Sequence, residues 1–314
     1  MSEEKLKLED LLNESKPPEV HDTIEYVAII GAGVMGQGIA QTVAAAGIDV
    51  IIIEKDDEQL AAAKESMKSS MMHEIDRWAM TESEMKSILS RINWNLDLNE
   101  ISECDLIIES VGENFHLKRL IFNRLDEIAR PETIIVSNTS TLSLTTLAEV
   151  TGRADKIIGM HFLNPVPKVP LVELVKGMDT SDETVAITKN FAKTIGKTAI
   201  EVYEYPGFVT TRAIIPLLNE AMHILLEGIA SAKDIDTAMK LGFNFQMGPL
   251  ELADSMGLDE VLTWMEQLYK TLGEPRYRPC PLLRKLVRER KLGKKSKIGF
   301  FRYNNDGKII EQNL

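Results

Sequence analysis

The chain has 314 residues, of which 44% are apolar and 27% are charged, and 36 basic against 48 acidic side chains give a net charge of −12. This balance predicts a globular protein of about two packed domains, and its acidity argues against a nucleic-acid partner. No apolar run reaches the roughly 18 residues that a membrane-spanning helix needs, and Cys104 and Cys280 have neither disulfide nor metal-ligand spacing. We therefore expect a cytoplasmic protein with no membrane partner and no metal site.

The first elements along the chain form a strand, a helix and a second strand. Residues 1–22 hold seven acidic residues and three lysines, unlike a signal or transit peptide, and are interpreted as an N-terminal extension with a short helix from Leu6 to Leu12. Regular structure begins with the apolar strand Tyr26–Ile30. An alanine-rich helix, Gly36–Ala46, and a second strand, Val50–Glu54, follow it.

The remaining elements divide the chain in two. Further strands are predicted at Leu106–Glu109, Thr133–Ser137, Lys156–Met160 and Leu171–Val175, with helices at Glu58–Arg77 and Leu117–Ala129. Alternating strands and helices indicate a doubly wound, mostly parallel sheet, so residues 23–205 are predicted to form a Rossmann-type α/β domain. After Pro206 only helices are predicted: Phe208–Glu227, Ala232–Leu241, Leu250–Met256, Leu258–Leu272 and Pro281–Lys291. Residues 206–314 are therefore predicted to form an all-α C-terminal domain.

A glycine-rich turn joins the first strand to the first helix. Its sequence, Gly31-Ala-Gly33-Val34-Met35-Gly36, is typical of a dinucleotide-binding turn, in which the glycines allow a tight bend, close approach of pyrophosphate and close helix packing. Glu54 ends the second strand 23 residues after Gly31, where a carboxylate can bind a ribose 2′-hydroxyl and repel a 2′-phosphate. The pattern predicts NAD rather than NADP, although Lys55 stands beside the acid.

His161 is the candidate base. It closes a predicted strand, at the sheet edge where doubly wound folds bind ligands, and it opens the proline-rich turn that contains Asn164. Glu173 follows twelve residues later in the next strand, so a chain reversal can return its carboxylate to the imidazole. Such a pair can take a proton from an alcohol as a hydride leaves its carbon. An isolated histidine is also often only structural.

Three segments around these residues resemble the 3-hydroxyacyl-CoA dehydrogenase family. They are His161-Phe-Leu-Asn-Pro-Val-Pro-Lys-Val-Pro-Leu-Val-Glu173, Ser137-Asn-Thr-Ser140 and Pro206-Gly-Phe-Val-Thr-Thr-Arg212. The resemblance extends from about Tyr26 to Tyr303 and includes further segments in the family's order.

The resemblance implies reversible, NAD-linked oxidation of an L-3-hydroxyacyl-CoA to the 3-ketoacyl-CoA. His161 would be the general base, Glu173 would orient it, and Ser140 would bind the reacting oxygen. Glu113 matches a carboxylate near the nicotinamide ribose, and Asn138 belongs to the same cofactor-binding set as the glycine turn.

The resemblance also implies a substrate site and a homodimer through the C-terminal helical domain. Asn164 matches the asparagine after the histidine and is expected to brace the turn. Ser70 and Arg77 align by position with a helical segment that contacts coenzyme A.

Two positions depart from the family pattern. Thr211 stands where the family usually has an active-site asparagine, and Lys297-Ile298 stands where a glycine is usual. Threonine has a shorter reach and lacks the two donors of an amide. Two other functions therefore remain open: a dehydrogenase of a CoA-free hydroxy acid, as in the lambda-crystallin/gulonate branch, and a catalytically impaired NAD-binding sensor or structural protein.

Overall fold

The computed structural model describes residues 23–140 and 142–313, so the predicted extension over residues 1–22 lies outside the described residues. An eight-stranded sheet forms the N-terminal half. Its strands are β1 (Tyr26–Ile30), β2 (Asp49–Ile53), β3 (Ile92–Asn95), β4 (Leu106–Glu109), β5 (Ile134–Ser137), β6 (Ile157–Phe162), β7 (Leu171–Lys176) and β8 (Thr198–Tyr203). They lie in the order β3-β2-β1-β4-β5-β6-β7-β8, and β6 and β7 form the antiparallel pair.

The helices of this half are α1 (Val34–Ala45), α2 (Asp57–Asp76), α3 (Glu82–Ser90), α4 (Phe115–Ile128), α5 (Leu144–Ala148) and α6 (Asp182–Thr194). The central strands are buried on both faces, because Val27 and Ile29 of β1 pack into one apolar cluster and Ala28 and Ile30 into another. β1 pairs with β2 on one side and with β4 on the other. This reversal of strand order opens a crevice at the carboxyl ends of β1 and β4, where ligands of doubly wound sheets bind.

The C-terminal half is helical. Its helices are α7 (Thr210–Leu226), α8 (Ala232–Phe243), α9 (Pro249–Met256), α10 (Leu258–Leu272) and α11 (Pro281–Arg288). They enclose a second apolar core that includes Tyr277 and Phe300. A hairpin of β9 (Phe301–Tyr303) and β10 (Ile309–Gln312) follows them. No helix among the described residues is long and apolar enough to cross a membrane.

Asp254 ties this hairpin to the helices. Its fully buried carboxylate accepts hydrogen bonds from the amides of Phe300 and Phe301, at 3.0 Å each, and from the Tyr303 hydroxyl at 2.8 Å. Burial raises the pKa of Asp254 to about 6, although these hydrogen bonds oppose the shift.

The predicted fold class is confirmed, and each predicted strand is present to within one or two residues. Strands β3 and β8 and helices α3, α5 and α6 were not predicted, and neither was the β9–β10 hairpin in a domain expected to be all helical. Helix α11 ends at Arg288, before the predicted Lys291, because Arg290 has the positive φ of 59° at which a helix cannot continue.

Candidate active site

The glycine turn after β1 has the shape that a dinucleotide needs. Gly31 has a φ of 96°, and a Cβ there would lie 3.0 Å from the carbonyl oxygen of Ser110. A Cβ on Gly36 would lie 2.0 Å from the carbonyl oxygen of Gly31, so a side chain there would separate α1 from the turn. A Cβ on Gly33 would meet nothing within 4 Å. The first and third glycines therefore close the turn, and the second leaves open space at the N-terminus of α1.

The space beside Gly33 suits a pyrophosphate. Val34 begins α1 and is 70% exposed, while Met35 packs partly against the core behind it. The free N–H groups of a helix N-terminus attract anions without any basic side chain.

Glu54 lies against this turn. Its carboxylate accepts hydrogen bonds from the amide of Ala32 at 2.9 Å and from the amide of Lys55 at 2.8 Å. Each oxygen keeps a lone pair for a ribose hydroxyl. The turn and the acid together fit the adenosine half of NAD.

A buried ion pair lies at the carboxyl end of β4. Glu109 and Lys118 of α4 are both fully buried, and Lys118 Nζ lies 2.6 Å and 2.8 Å from the two carboxylate oxygens. Ser137 at the end of β5 donates to Glu109 at 2.8 Å. The sequence alone did not predict this pair, because its one signal is an acid at the end of an apolar strand.

The same lysine reaches Glu113. Lys118 Nζ lies 3.6 Å from Glu113 Oε2, and Oε1 of Glu113 accepts from the Thr139 hydroxyl at 2.6 Å and from the Ser140 amide at 3.1 Å. The Ser140 hydroxyl is 3.5 Å from that oxygen. Glu113 thereby joins the loops after β4 and β5, and it brings Ser140 to the crevice.

Asn138 joins three strand ends. Its amide group donates to the Ser110 hydroxyl at 3.3 Å and its side-chain oxygen accepts from the Phe162 amide at 3.2 Å. Its own backbone amide donates to the Glu109 carbonyl at 2.8 Å. In this structure Asn138 therefore braces the floor of the crevice, next to Ser140.

His161 and Glu173 lie directly opposite each other on β6 and β7. His161 is 5% exposed and Glu173 is fully buried, and Nδ1 of the imidazole lies 2.6 Å from Glu173 Oε2. The ring of Phe208 packs against the imidazole, with the ring centres 5.4 Å apart. The carboxylate fixes the Nδ1–H tautomer, which leaves the Nε2 lone pair available as a base.

The start of α7 completes the surroundings of Glu173. Its Oε1 accepts from the amides of Val209 at 3.0 Å and Thr210 at 2.9 Å, and its Oε2 accepts from the Thr210 hydroxyl at 2.8 Å. Burial raises the pKa of the Glu173 carboxyl, but the hydrogen bonds from His161 and Thr210 outweigh burial and leave that pKa below its ordinary value. The carboxylate therefore stays ionised beside the imidazole. Thr211, the predicted catalytic position, is buried in the same helical turn.

A cleft of about 530 Å³ lies between α1, α2 and the turn after β6. Ser70 and Asn164, both predicted substrate residues, line it. Arg77 does not: its guanidinium donates to the carbonyl oxygen of Asp306 at 3.3 Å, in the turn of the C-terminal hairpin. No group of three His, Cys, Asp or Glu side chains in the described part of the chain is placed to hold a metal ion.

Two family models match the chain. The NAD-binding domain of 3-hydroxyacyl-CoA dehydrogenase matches residues 26–205, and the C-terminal domain of the same enzymes matches residues 207–303. The chain belongs to the 3-hydroxyacyl-CoA dehydrogenase family. It is therefore an NAD-dependent oxidoreductase, and the glycine turn and Glu54 fit that cofactor.

Relatives match nearly full length. A probable 3-hydroxybutyryl-CoA dehydrogenase from Bacillus subtilis is 45% identical over 280 residues, which cover 89% of this chain and 98% of the relative. The human mitochondrial hydroxyacyl-coenzyme A dehydrogenase is 38% identical over 288 residues, covering 89% and 91%. The crystal structure of (S)-3-hydroxybutyryl-CoA dehydrogenase from Ralstonia eutropha superposes with a TM-score of 0.82 at 43% identity, covering 90% of this chain and all of that one.

Proposed function

We propose that this chain catalyses reversible oxidation of an L-3-hydroxyacyl-CoA to the 3-ketoacyl-CoA, with His161 as the general base, Glu173 orienting it and Ser140 binding the reacting oxygen. The observation that carries the proposal is the buried His161–Glu173 pair at 2.6 Å, on the same sheet as the dinucleotide-binding turn. An imidazole held by a carboxylate is a general base that can take the proton of an alcohol.

The proton steps follow from the hydrogen bonds. Because Nδ1 donates to Glu173, Nε2 of His161 takes the hydroxyl proton in oxidation and returns it to the carbonyl oxygen in reduction. The ionised Glu173 stabilises the imidazolium that forms. The Ser140 hydroxyl, held beside Glu113 at 3.5 Å, donates to the reacting oxygen.

Bound NAD supplies the hydride acceptor for the carbon that loses its hydrogen. The N–H groups after Gly33 hold the pyrophosphate, Glu54 binds the adenosine ribose 2′-hydroxyl, and Glu113 and Asn138 keep the loops beside the nicotinamide in place. The carboxylate of Glu54 repels a 2′-phosphate, which favours NAD over NADP.

The substrate thioester enters by the cleft lined by Ser70 and Asn164. Relatives named as 3-hydroxybutyryl-CoA dehydrogenases support a short acyl chain. Arg77 contacts the Asp306 carbonyl and is not among the residues that line the cleft, so we assign substrate binding there to Ser70 and Asn164.

We also propose a homodimer formed by the helical half, residues 206–314. Three large apolar side chains near α8 are strongly exposed: Ile229 at 68%, Leu241 at 83% and Phe243 at 72%. Leu241→Asp is expected to give a monomer by light scattering. A cytoplasmic location is part of the same proposal, since Cys104 and Cys280 are buried free thiols that suit a reducing compartment.

The deciding experiment follows NADH oxidation with acetoacetyl-CoA and, in parallel, with free acetoacetate. We expect turnover of the thioester, and a loss of about 10³-fold or more in kcat for His161→Ala. His223→Ala is the matched control, because His223 lines a separate cavity on the helical half. Preference for the free acid, or near-normal turnover by His161→Ala, would contradict the proposal.

A further inference from the structure

Two donors from different elements meet on one oxygen of Glu173. His161 Nδ1 lies 2.6 Å from Oε2, and the Thr210 hydroxyl lies 2.8 Å from the same atom. The other oxygen, Oε1, is occupied by the amides of Val209 and Thr210. The carboxylate that supports the imidazole therefore accepts hydrogen bonds from four donors, one of which is a side-chain hydroxyl.

The hydroxyl of Thr210 is held in place by its own backbone. The Thr210 amide binds Oε1 while the hydroxyl binds Oε2, so one residue spans both oxygens of the carboxylate. Thr210 is also the first residue of α7, and its β-branched side chain has few rotamers. This bond is therefore fixed by the fold.

Among the described residues, His161 on β6 is the ionisable side chain in contact with Glu173. From β8, the cross-strand neighbour of Glu173 is Ile200, which carries no charge. The nearby charges of the same elements are engaged elsewhere: Glu201 with Lys189, Lys176 with Asp182, and Arg212 over the ring of Tyr205.

We propose that Thr210 is a positioning residue that sets the basicity of the His161–Glu173 pair, through its hydroxyl bond to the oxygen that holds His161. This inference rests on the proposed function of the pair. A donor to a carboxylate stabilises its ionised form and draws electron density from the shared oxygen. With the hydroxyl present, Glu173 holds the imidazolium proton less strongly, and the base is free at lower pH than it would be otherwise.

The test compares three variants by their pH profiles. Thr210→Val replaces the hydroxyl with a methyl group of similar size, and Thr210→Ala removes it, while both keep the two backbone amides on Oε1. We expect the acidic limb of kcat/KM for 3-hydroxybutyryl-CoA oxidation to move to higher pH by about 0.5 unit in both. Thr210→Ser keeps the hydroxyl and is expected to keep the limb at its wild-type position.

Three results would overturn the proposal: an unmoved limb in Thr210→Val and Thr210→Ala, a move to lower pH, or an equal move in Thr210→Ser. If the rate changes while the limb stays in place, which is the first of these results, Thr210 has only a structural role.

Titration of the His161 ring by ¹⁵N NMR in the cofactor-free protein compares the wild type with the Thr210 variants without any turnover. The His161→Ala variant assigns the signal of this ring. The titration keeps this inference separate from the proposed function, because the ring titration moves in Thr210→Val even if no hydroxyacyl-CoA is a substrate. An unmoved titration in a folded Thr210→Val protein rejects the role of Thr210 alone.

Discussion

His161 and Glu173 are cross-strand neighbours on the antiparallel pair β6 and β7, and their side chains meet at 2.6 Å inside the protein. The register of two adjacent strands therefore sets the distance between base and carboxylate. A register slip of one residue would send the two side chains to opposite faces of the sheet.

This geometry predicts the effect of Glu173→Gln. Gln accepts from the Val209 and Thr210 amides as Glu173 does, but its NH₂ group faces Nδ1 of His161 and favours the tautomer that carries its proton on Nε2. That imidazole cannot take the substrate proton, so we expect kcat to fall by about 10³-fold with little change in the thermal midpoint. Steady-state kinetics with acetoacetyl-CoA measures kcat, and thermal unfolding measures the midpoint. Glu201→Gln, on the neighbouring strand and exposed, is the control; a loss below about tenfold in Glu173→Gln contradicts the assigned role.

The second and third glycines of the dinucleotide turn are expected to differ in what they tolerate. A Cβ at position 33 meets nothing within 4 Å, whereas a Cβ at position 36 would lie 2.0 Å from the carbonyl oxygen of Gly31. Gly33→Ala should keep the urea midpoint and weaken NADH binding, because the methyl group enters the space for pyrophosphate. Gly36→Ala should lower both the urea midpoint and the affinity for NADH, since α1 must move away from the turn. Calorimetry of NADH binding and urea unfolding check this pair, and equal loss of stability in the two variants would argue against it.

Glu54 gives a prediction about cofactor choice. A hydrogen bond from a hydroxyl to a carboxylate contributes about 1.5–3 kcal/mol, so Glu54→Ala should weaken NADH binding by about 10- to 100-fold. NADPH binding should improve in the same variant, because the charge that repels the 2′-phosphate is gone. Fluorescence titration with NADH and with NADPH gives the ratio of the two affinities. Glu65→Ala, which removes an exposed carboxylate from α2, is the control and should leave this ratio nearly unchanged.

Much of this site follows from local sequence. Short local segments of sequence predict the glycine turn, Glu54 and the position of His161 at a strand end, because each of these features depends on only a few neighbouring residues. Strand β8 was missed because it lies at the sheet edge, and its sequence, Thr-Ala-Ile-Glu-Val-Tyr, is only partly buried. Strand β9 was not predicted because its three residues are too few to show an alternation of apolar and polar side chains.

The buried charges were harder to foresee. Lys118 lies on a helix with charged neighbours, a pattern that usually marks a solvated face, and only the packing of α4 against β4 places its amine on Glu109. The resemblance drew attention to Thr211, whereas the hydroxyl that reaches Glu173 belongs to Thr210. Which of two adjacent threonines faces the carboxylate depends on the path of the chain into α7.

The Glu109–Lys118 pair predicts an asymmetric response to substitution. Lys118→Met leaves the Glu109 carboxylate buried without its cation, which should cost about 3–5 kcal/mol in the free energy of unfolding. The double variant Glu109→Gln with Lys118→Met removes both charges and should recover most of that loss. Activity should stay low in both, because Lys118 also lies 3.6 Å from Glu113, the residue that holds Ser140. Urea unfolding and acetoacetyl-CoA turnover separate the two effects, and equal instability of the single and double variants would contradict the assignment.

Asp254 predicts how stability depends on pH. Its pKa is raised from 3.8 to about 6 by burial, so the folded protein favours the protonated carboxyl. The stability that it contributes is greatest below about pH 4 and is lost as the pH rises through about 6, because the ionised group is then buried in the folded state. The free energy of unfolding of the wild type relative to Asp254→Asn should therefore fall by about 2–3 kcal/mol between pH 4 and pH 6.5. Urea unfolding at closely spaced pH values measures the difference. A flat or rising difference for Asp254→Asn would rule out the raised pKa.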